Sequence, residues 1–579
     1  MIITQKGFIK MDIKELYNNE FENPISLNSY LTMNGIIDIE EYLNPSGMYL
    51  DNWEQYNNMS LAITELNYWL QYEDSKIFII QDGDTDGICS TVILYNYLKA
   101  LKEDLDISIL IHTSKQQRGL EDEDIMDRIK KEQPNLVIIP DAGTNNIKQA
   151  QELCDMNIGL IVLDHHDYET PIEKGILINN QDENNTNVQK CGSGALVTHK
   201  FLQALDEYYN LDWSQYLIDL VALSLVSDSM NMSSMENRTY YHFGLETIDK
   251  LNNKFLIALF KEFIGDKSYT QRDISFKIVP KLNSICRSTD MELKMDLILS
   301  FIGYYSDYTE ILNKCKQAHE RQKEIVAEVI DKNIDNIDNN NSIVFFASDD
   351  IPKSYSGLIS GKIMNLCGGK PTIVGSIKDD IFIGSLRSPI PLRSSFIDTK
   401  LFEFAQGHED SCGVKIKVEN IPKVVEFYNN VDLNYTPCTE VLKSLNINKY
   451  NINRLFYEFD GYDYLWGKGI EQPKFHIKDI VINPSKDIQI MRDGRTIKIT
   501  YKDTVLMLFM STKQDKEKLK LGYYENDKFV FQPQDINLKM QCIGTLNINR
   551  YKSYVTNQIL ISDYEVTEKT KRTIEDLFN

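Results

Sequence analysis

The feature that most constrains the fold of this chain is an alternation of short apolar runs with amphipathic segments between residues 76 and 180. The segments between the runs, such as 89–103 and 123–132, have the spacing of helices. Strands that alternate with helices at this interval indicate βαβ units, so we expect an α/β fold with a parallel sheet. The predicted strands lie in KIFII (76–80), DISILIHT (106–113), NLVIIP (135–140), GLIVLDHH (159–166) and KGILINN (174–180).

The 579 residues are too many for one domain, and the pattern changes several times along the chain. Residues 1–70 have polar, helical spacing, and residues 317–337 are long and charged enough for a solvated spacer helix. A second α/β pattern begins near 343, and alternating apolar runs in the tail favour a small β-barrel. We predict five segments: 1–70 helical lead-in, 71–315 catalytic α/β domain, 316–340 linker helix, 341–435 smaller α/β domain, and 436–579 barrel.

Composition restricts the partners and the compartment of this protein. The net charge of −23 argues against general adhesion to nucleic acid or to an anionic membrane, although a local basic groove is compatible with it. The nine cysteines form no CxxC pair, which indicates reduced thiols in a cytosolic protein. The N-terminus lacks the apolar segment of a signal peptide, and no apolar run has the length of a membrane span. We therefore expect a soluble, cytoplasmic protein.

Acidic motifs follow four of the apolar runs. A single acid in this position is most cheaply explained as a helix N-cap. However, the carboxyl ends of parallel strands lie at one edge of a sheet, where ligands bind, and four such motifs with adjacent histidines are expected to converge there. The motifs are DGDTDG (82–87), PDAG (140–143), LDHHD (163–167) and VSDS (226–229).

The converging side chains suit a divalent metal site. Carboxylates with one imidazole favour Mn²⁺ or Mg²⁺, and the nitrogen ligand favours Mn²⁺. Two ions that share Asp141 would activate water and clamp a phosphoryl group. Gly87 lets the backbone approach closely where the next helix begins. The predicted metal ligands are Asp82, Asp84, Asp86, Asp141, His165 and Asp228.

The adjacent histidines have separate predicted roles. A lone histidine is more often a core or surface residue, but the chain has only 8, and two of them stand together between acids. Because adjacent side chains diverge, we expect His165 to bind metal and His166 to contact a substrate phosphate. Asp164 is expected to orient an imidazole from behind. The predicted catalytic set is Asp84, Asp86, Asp141, His165, His166 and Asp228.

In this order the motifs resemble the DHH phosphoesterase superfamily, named for the triplet that stands here as Asp164, His165 and His166. Within it the chain is similar to the RecJ family of single-strand-specific exonucleases, over roughly residues 76–566. The resemblance implies a DHH domain, a smaller DHHA1 domain and an OB-fold barrel in the order predicted above. Further matching stretches are CGSGALVTHKF (191–201), DISFKIVPKLNSICR (273–287), GSLRS (384–388), QGHEDSCG (406–413) and LWGKGIEQPKF (465–475).

The resemblance also implies which residues contact substrate. Gln406 replaces a family glycine, Lys281 replaces a family arginine, and SKQQRGL (114–120) is shorter than the family's arginine-bearing loop, so Arg118 or Lys115 substitutes there. In the barrel, Tyr551, Lys552 and Tyr554 combine stacking faces with charge, as single-strand binding requires. The substrate-binding residues implied are Arg118, Ser193, Arg287, Arg387 and His408.

The function implied is that of a metal-dependent 5′→3′ exonuclease with two Mn²⁺ or Mg²⁺ ions. It would degrade single-stranded DNA to mononucleotides in DNA repair, recombination or replication. We expect a monomer whose further partners are a single-strand-binding protein or a helicase. Two alternatives stay open: a DHH phosphodiesterase acting on short RNA oligomers or cyclic dinucleotides, and a non-catalytic DNA-binding scaffold. The predicted barrel disfavours the first alternative, and the complete set of acids and histidines disfavours the second.

Overall fold

The structure is a computed structural model that describes residues 13–16, 25–112, 119–168, 170–265, 269–431, 433, 439–491, 494–525, 528–551 and 554–568. Its contacts divide the chain into two units. One comprises Met1–Ile39, Thr436–Trp466 and Ile470–Asn579, and the other comprises Glu40–Tyr435 and Gly467–Gly469. No helix in the described ranges is both long and apolar enough to cross a membrane. All five predicted segments keep their boundaries as predictions.

The first elements of the chain are mostly helical, and the extent of the predicted lead-in stays a prediction. The lead-in also contains a short strand that the sequence did not indicate, and this strand pairs in parallel with residues 439–441. Ser26 caps the first helix by accepting the backbone N–H of Ser29. The elements are β1 (Ile13–Glu15), α1 (Leu27–Met33), α2 (Ile39–Leu43) and α3 (Met59–Leu70).

A five-stranded parallel sheet follows, which confirms the predicted α/β architecture. Its strand order is β3-β2-β4-β5-β6. The strands are continuous apolar runs because helices cover both faces of the sheet. Phe78, Ile139 and Val162 pack on one face in a common core. The elements are β2 (Lys76–Gln81), α4 (Thr85–Leu101), β3 (Asp106–Ile111), α5 (Glu123–Glu132), β4 (Leu136–Pro140), α6 (Ile147–Asp155), β5 (Gly159–Asp164) and β6 (Ile176–Asn179).

Residues 194–333 are helical. The apolar run before Asp228, which we grouped with the strand ends, is helix α8, so Asp228 follows a helix C-terminus. A continuous apolar run does not distinguish a buried helix from a buried strand, and this explains the difference. A π-helical turn (Ile274–Ile278) separates α11 from α12. The helices are α7 (Gly194–Tyr209), α8 (Ile218–Ser227), α9 (Met235–Gly244), α10 (Lys254–Phe263), α11 (Gln271–Asp273), α12 (Val279–Cys286), α13 (Met291–Ile302) and α14 (Thr309–Asn333).

A second, mixed sheet begins after α14, as predicted, and its order is β10-β11-β9-β8-β7. Phe382 and Val414 on one face pack with Phe396 and Val424 of the two following helices. On the other face, Ile359 of α15 packs against the strands at one edge. The elements are β7 (Val344–Ala347), α15 (Ser356–Leu366), β8 (Thr372–Lys378), β9 (Ile381–Arg387), α16 (Arg393–Thr399), β10 (Phe402–His408), β11 (Ser411–Lys417) and α17 (Ile421–Asn430).

The C-terminal part of the smaller unit is rich in strands. Its main sheet has seven strands in the order β13-β14-β20-β21-β17-β16-β15, and closure into an OB-like barrel stays a prediction. Tyr554 is exposed, whereas Lys552 lies outside the described residues. The elements are β12 (Thr439–Val441), β13 (Lys443–Asn446), α18 (Ile452–Glu458), β14 (Lys474–Ile482), α19 (Pro484–Asp487), β15 (Ile488–Ile490), β16 (Ile497–Tyr501), β17 (Thr504–Leu508), α20 (Lys513–Lys518), β18 (Gly522–Glu525), β19 (Lys528–Phe531), β20 (Leu538–Tyr551) and β21 (Tyr554–Glu568).

Candidate metal centre and phosphate-binding cleft

Three neighbouring parallel strands carry acids to one edge of the first sheet. Asp82 follows β2, Asp141 follows β4, and Asp164 ends β5. The turn from β2 into α4 requires Gly87, because a Cβ there would overlap the backbone carbonyl of Asp82. Asp141 has a φ of 70°, in the left-handed region. Such strained backbone is common at functional sites and gives this acid a fixed direction.

Asp84 has two roles in the structure. Its carboxylate accepts the N–H groups of Asp86 at 3.1 Å and Gly87 at 3.2 Å, so it is the N-cap of α4. The helix-cap explanation of this acid is therefore correct. It does not exclude metal binding, because Asp82, Asp84 and Asp141 also place one oxygen each within 4.8 Å of one another.

His165 lies at the centre of the acids. Its Nε2 atom is 3.1 Å from Oδ1 of Asp141, 3.6 Å from Oδ2 of Asp228 and 3.8 Å from Oδ2 of Asp86. The ring is almost fully buried. One nitrogen surrounded by three carboxylates is a donor set that suits a divalent cation of the Mn²⁺ or Mg²⁺ type.

The N-terminus of α7 holds Asp86. Its two carboxylate oxygens accept the backbone N–H groups of Gly194 at 2.9 Å and Ala195 at 3.0 Å. The helix dipole adds to this stabilisation of a negative charge. Gly194 also makes room for a second acid, because a Cβ there would overlap the carboxylate of Asp141. The glycine-rich segment at the start of α7 therefore contributes backbone N–H groups and space to the site, without a side chain that binds metal.

The electrostatics of the acids favour a bound cation. Burial raises the pKa of Asp86 to about 6, and the neighbouring Asp84 adds to the effect. Burial and the charges of Asp86 and Asp84 raise the pKa of Asp141 well above its ordinary value. Burial and the proximity of His166 lower the pKa of His165 to about 3. A divalent cation among these groups would relieve the repulsion between the carboxylates and leave His165 neutral, as a ligand must be.

All six predicted ligands occur in the three groups of side chains whose ligand atoms lie within 4.8 Å of one another. Asp141 and His165 each belong to two of the groups, and the sharing of Asp141 between two ions stays a prediction. His166 also belongs to one, although we assigned it to substrate. The groups are Asp141, His165 and His166; Asp86, His165 and Asp228; and Asp82, Asp84 and Asp141.

Asp164 holds His166 in place. Its Oδ1 atom lies 2.8 Å from Nδ1 of His166, while Oδ2 accepts the hydroxyl of Thr144 at 2.7 Å. Burial works against the charge of Asp164, but His166 and these hydrogen bonds outweigh it, so the pKa of Asp164 lies well below its ordinary value. The ring of His166 is 6.4 Å from that of His408, with an interplanar angle of 22°. The second α/β segment thus faces the acids across a cleft.

Two arginines line the same cleft as the acids. Arg287 is the C-cap of α12 and lies near enough to Asp84 to feel its charge, whereas Arg387 ends β9 of the second sheet. Burial and the charge of Arg287 lower the pKa of Arg387, so the two guanidinium groups are close enough to repel each other. Within the described ranges neither has an ion-pair partner. Gly357 makes room for Arg387, since a Cβ there would lie 2.6 Å from Nη2. An anionic ligand between the arginines would relieve their repulsion.

Two predicted substrate contacts are not seen in the cleft. Ser193 is buried, and its hydroxyl bonds Ser224 at 2.6 Å and caps α7 through the N–H of Leu196. It therefore supports the helix that holds Asp86 and is not exposed to a ligand. Arg118 lies outside the described residues, as does its alternative, Lys115.

Sequence reasoning missed two residues that shape the site. Asn283 accepts the N–H and the hydroxyl of Thr85 at 3.2 and 2.8 Å, and so braces the turn that carries the first acids. Arg393 contacts Glu409 at 3.1 Å and Asp167 at 3.7 Å across the cleft. Asn283 stands within the stretch that resembles the family, which was a usable signal. Nothing in the sequence distinguished Arg393 from a surface arginine.

Several known proteins are similar in sequence to this chain. Residues 76–225 match the N-terminal domain of the DHH family. The chain is 27% identical over 611 residues to the putative SPbeta prophage-derived single-strand DNA-specific exonuclease YorK of Bacillus subtilis, covering 97% of this chain and 100% of that protein. It is 23% identical over 530 residues to the single-stranded-DNA-specific exonuclease RecJ of Bacillus subtilis, covering 87% of this chain and 64% of RecJ.

Solved structures show the same fold. RecJ from Thermus thermophilus in complex with Mn²⁺ superposes with a TM-score of 0.71 at 18% identity, over 93% of this chain and 76% of that one. Residues 76–225 are thus similar to the N-terminal domain of the DHH family. Over most of its length the chain is similar to RecJ and to the YorK protein.

Proposed function

We propose that this protein is a metal-dependent exonuclease that hydrolyses single-stranded DNA from the 5′ end and releases mononucleotides. One observation carries the proposal: a buried cluster of acids around His165 lines the same cleft as Arg287 and Arg387. The names of the relatives, single-strand DNA-specific exonucleases, support the choice of substrate.

In this proposal, different residues of the chain bind the metal ions and the phosphate. Mn²⁺ or Mg²⁺, in the proposal as two ions, would activate water and neutralise charge on the phosphoryl group when bound. The residues that would hold the ions are Asp82, Asp84, Asp86, Asp141, His165 and Asp228. The complete donor set also argues against a scaffold that has lost its chemistry.

Cationic side chains of the same cleft bind the strand. Arg287 and Arg387 present planar donor groups to the non-bridging oxygens of a phosphate, an arrangement suited to bidentate contact. His166 donates its Nδ1 proton to the ionised carboxylate of Asp164, so its Nε2 is directed away from that acid. Protonated at Nε2, the ring donates a hydrogen bond to a phosphate oxygen, and Asp164 stabilises the imidazolium. His408, stacked 6.4 Å away, contacts the same phosphate.

The proposal extends to the setting of the enzyme. We infer a cytoplasmic monomer that acts in DNA repair, recombination or replication, with a single-strand-binding protein or a helicase as partner. We assign catalysis to residues 71–315, substrate binding to residues 341–435 and further nucleic-acid contacts to residues 436–579.

The test is digestion of long single-stranded DNA with Mn²⁺, using one substrate labelled at the 5′ end and one labelled at the 3′ end. We expect the 5′ label to appear at once as a mononucleotide and the 3′ label to stay on shortening strands. Survival of long DNA together with cleavage of dinucleotides or cyclic dinucleotides would favour the short-substrate phosphodiesterase. Binding of DNA with no cleavage of either would favour the scaffold. Asp141→Asn is the inactive control.

A further inference from the structure

The second sheet leaves part of one face open to the cleft. Helix α15 covers this face at β7, β8 and part of β9, where Ile359 packs against Val344 and Val374 and the hydroxyl of Ser356 bonds that of Ser385 at 2.8 Å. Strands β11 and β10, with the rest of β9, continue the same face beyond the helix, and their residues line the cleft that contains the acids. This uncovered part, which we call the sheet floor, is therefore a surface along which a bound strand would run.

A β-bulge places an aromatic ring on the sheet floor. The register of β10 against β11 shifts between Phe402 and Phe404, so these two residues face opposite sides of the sheet. Phe402 turns to the core and stacks on Phe396 at 4.4 Å. Phe404 is 38% exposed and lines the cleft. Bulges next to active sites commonly redirect a side chain in this way, and a regular strand would have placed both rings on the same face.

The chemical type of the side chains on the sheet floor changes along β10. At the end nearest the acids stand His408 and, on β9, Arg387, the two side chains of this floor that we propose to contact phosphate. In the middle, Gln406 pairs with Gly413, which has no side chain, and Gly413 pairs with Ser385. At the far end Phe404 pairs with Lys415, which pairs in turn with Ile383, and the ring of Phe404 comes near Gly413, where a Cβ would be 3.9 Å from Cε2. The order is cationic, small, then aromatic.

The spacing of these groups matches a nucleotide chain. Phe404 precedes His408 by four positions along the strand, or about 13 Å, which corresponds to about two nucleotides of an extended strand. Every base has an apolar face that stacks on an aromatic ring, so this contact would be independent of sequence. The sheet floor would thus bind a strand at two points about 13 Å apart. One is the cationic site for a phosphate, and the other is the aromatic ring of Phe404.

We propose that Phe404 is the stacking platform for a base about two nucleotides away from the hydrolysed phosphate. The proposal rests on the proposed function and deepens it, because it makes the substrate class a single strand longer than a dinucleotide. Phe404 contacts substrate without taking part in the reaction at phosphorus. It would therefore increase affinity for longer strands and leave the chemical step unchanged.

The test compares a hexanucleotide and a dinucleotide as substrates of the wild type and of Phe404→Ala with Mn²⁺. We expect the KM for the hexanucleotide to rise about tenfold in the variant, with kcat unchanged, since stacking on one aromatic ring is worth roughly this factor. We expect no change for the dinucleotide. Phe404→Trp should restore the low KM. Phe427→Ala, which removes an exposed ring on α17 outside the cleft, is the matched control.

A second measurement locates the base. A single abasic residue is moved through the hexanucleotide one position at a time, and binding is measured in Ca²⁺ by fluorescence anisotropy. We expect one position at which the abasic residue weakens binding to the wild type but has no further effect on Phe404→Ala. An unchanged KM in Phe404→Ala, an equal loss for both substrates, or an abasic effect that persists in full in the variant would overturn the proposal. Failure of the wild type to cleave either substrate would instead reject the proposed function, and the binding measurement would still decide the role of Phe404.

Discussion

Nδ1 of His166 lies 2.8 Å from Oδ1 of Asp164, and this contact separates the two neighbouring histidines of the motif. His165 turns its Nε2 toward Asp141, whereas His166 is anchored from behind and faces the cleft. Asp164 is not itself among the proposed metal ligands. The first acid of the triplet therefore positions the last residue, and the middle residue is the one proposed to bind metal.

Asp164→Asn should consequently impair turnover more than metal binding. The amide keeps the shape of the side chain but removes the charge that stabilises protonated His166. We expect kcat on single-stranded DNA to fall by about 100-fold, as is typical of a lost acid–base or charge-stabilising group. Steady-state kinetics and calorimetric titration with Mn²⁺ measure the two effects. Asp155→Asn, an exposed acid on α6, is the control, and equal kcat in the two variants would refute the assignment.

Asp141→Asn should stabilise the metal-free protein while abolishing its response to metal. The substitution removes one of several buried carboxylates that repel one another, and Asn tolerates the φ of 70° at this position. We expect Tm in EDTA to rise by a few degrees and the further increase with Mn²⁺, expected for the wild type, to disappear. Differential scanning fluorimetry measures both. A lower Tm in EDTA would show that Asp141 stabilises the fold without metal.

The sequence predicted the site better where its acids follow strands. Asp82, Asp141 and Asp164 converge because parallel strands share an edge, and the alternating pattern was sufficient to predict that edge. Asp228 was correctly predicted to lie beside the other acids, but it was wrongly predicted to follow a strand. A buried helix and a buried strand are both continuously apolar, so the sequence did not distinguish them. Position at the end of an apolar run was the useful signal in both cases.

Residues that act through long-range packing were not predictable. The bulge that turns Phe404 into the cleft depends on the pairing of β10 with β11, which alternation within one strand does not contain. Ser193 was assigned to substrate, but its hydroxyl is used as an N-cap inside the protein. Arg393 reaches Asp167 only because the two α/β segments face each other. Tertiary contacts decide all three roles.

Gly194→Ala should damage the metal site through a single methyl group. The added Cβ would overlap the carboxylate of Asp141, and backbone on a helix N-terminus has little freedom to move away. We expect the affinity for Mn²⁺ to fall by at least about tenfold, as for other changes that displace a ligand. Gly361→Ala is the matched control: its Cβ would meet only Cγ of Arg387, at 3.9 Å, and alanine favours a helix. Calorimetric titration decides, and equal affinities in the two variants would contradict this account.

Finally, His199 should lower the stability of the larger unit at acidic pH. The ring is fully buried on α7, where Nε2 bonds the carbonyl of Ser214 at 3.0 Å and Nδ1 bonds the hydroxyl of Tyr240 at 3.0 Å. Burial and the neighbouring Lys200 lower its pKa to about 4, whereas the unfolded chain has an ordinary value near 6.5. Above that value neither state binds the proton, so His199 has no effect on stability there. As the pH falls below about 6.5, His199 becomes protonated in the unfolded chain but stays neutral in the folded protein. The free energy of unfolding therefore decreases with falling pH. The decrease is on the order of 3 kcal/mol when the pH reaches the pKa of the folded state.

His199→Gln isolates this contribution, because an amide supplies one donor and one acceptor and does not titrate. Urea unfolding followed by tryptophan fluorescence at about pH 7.5 and about pH 5 should show a larger loss of stability in the wild type than in the variant. Other acids titrate over the same interval, and the comparison between the two proteins removes their effect. Parallel pH dependences would mean that His199 is protonated as easily in the folded protein as in the unfolded chain.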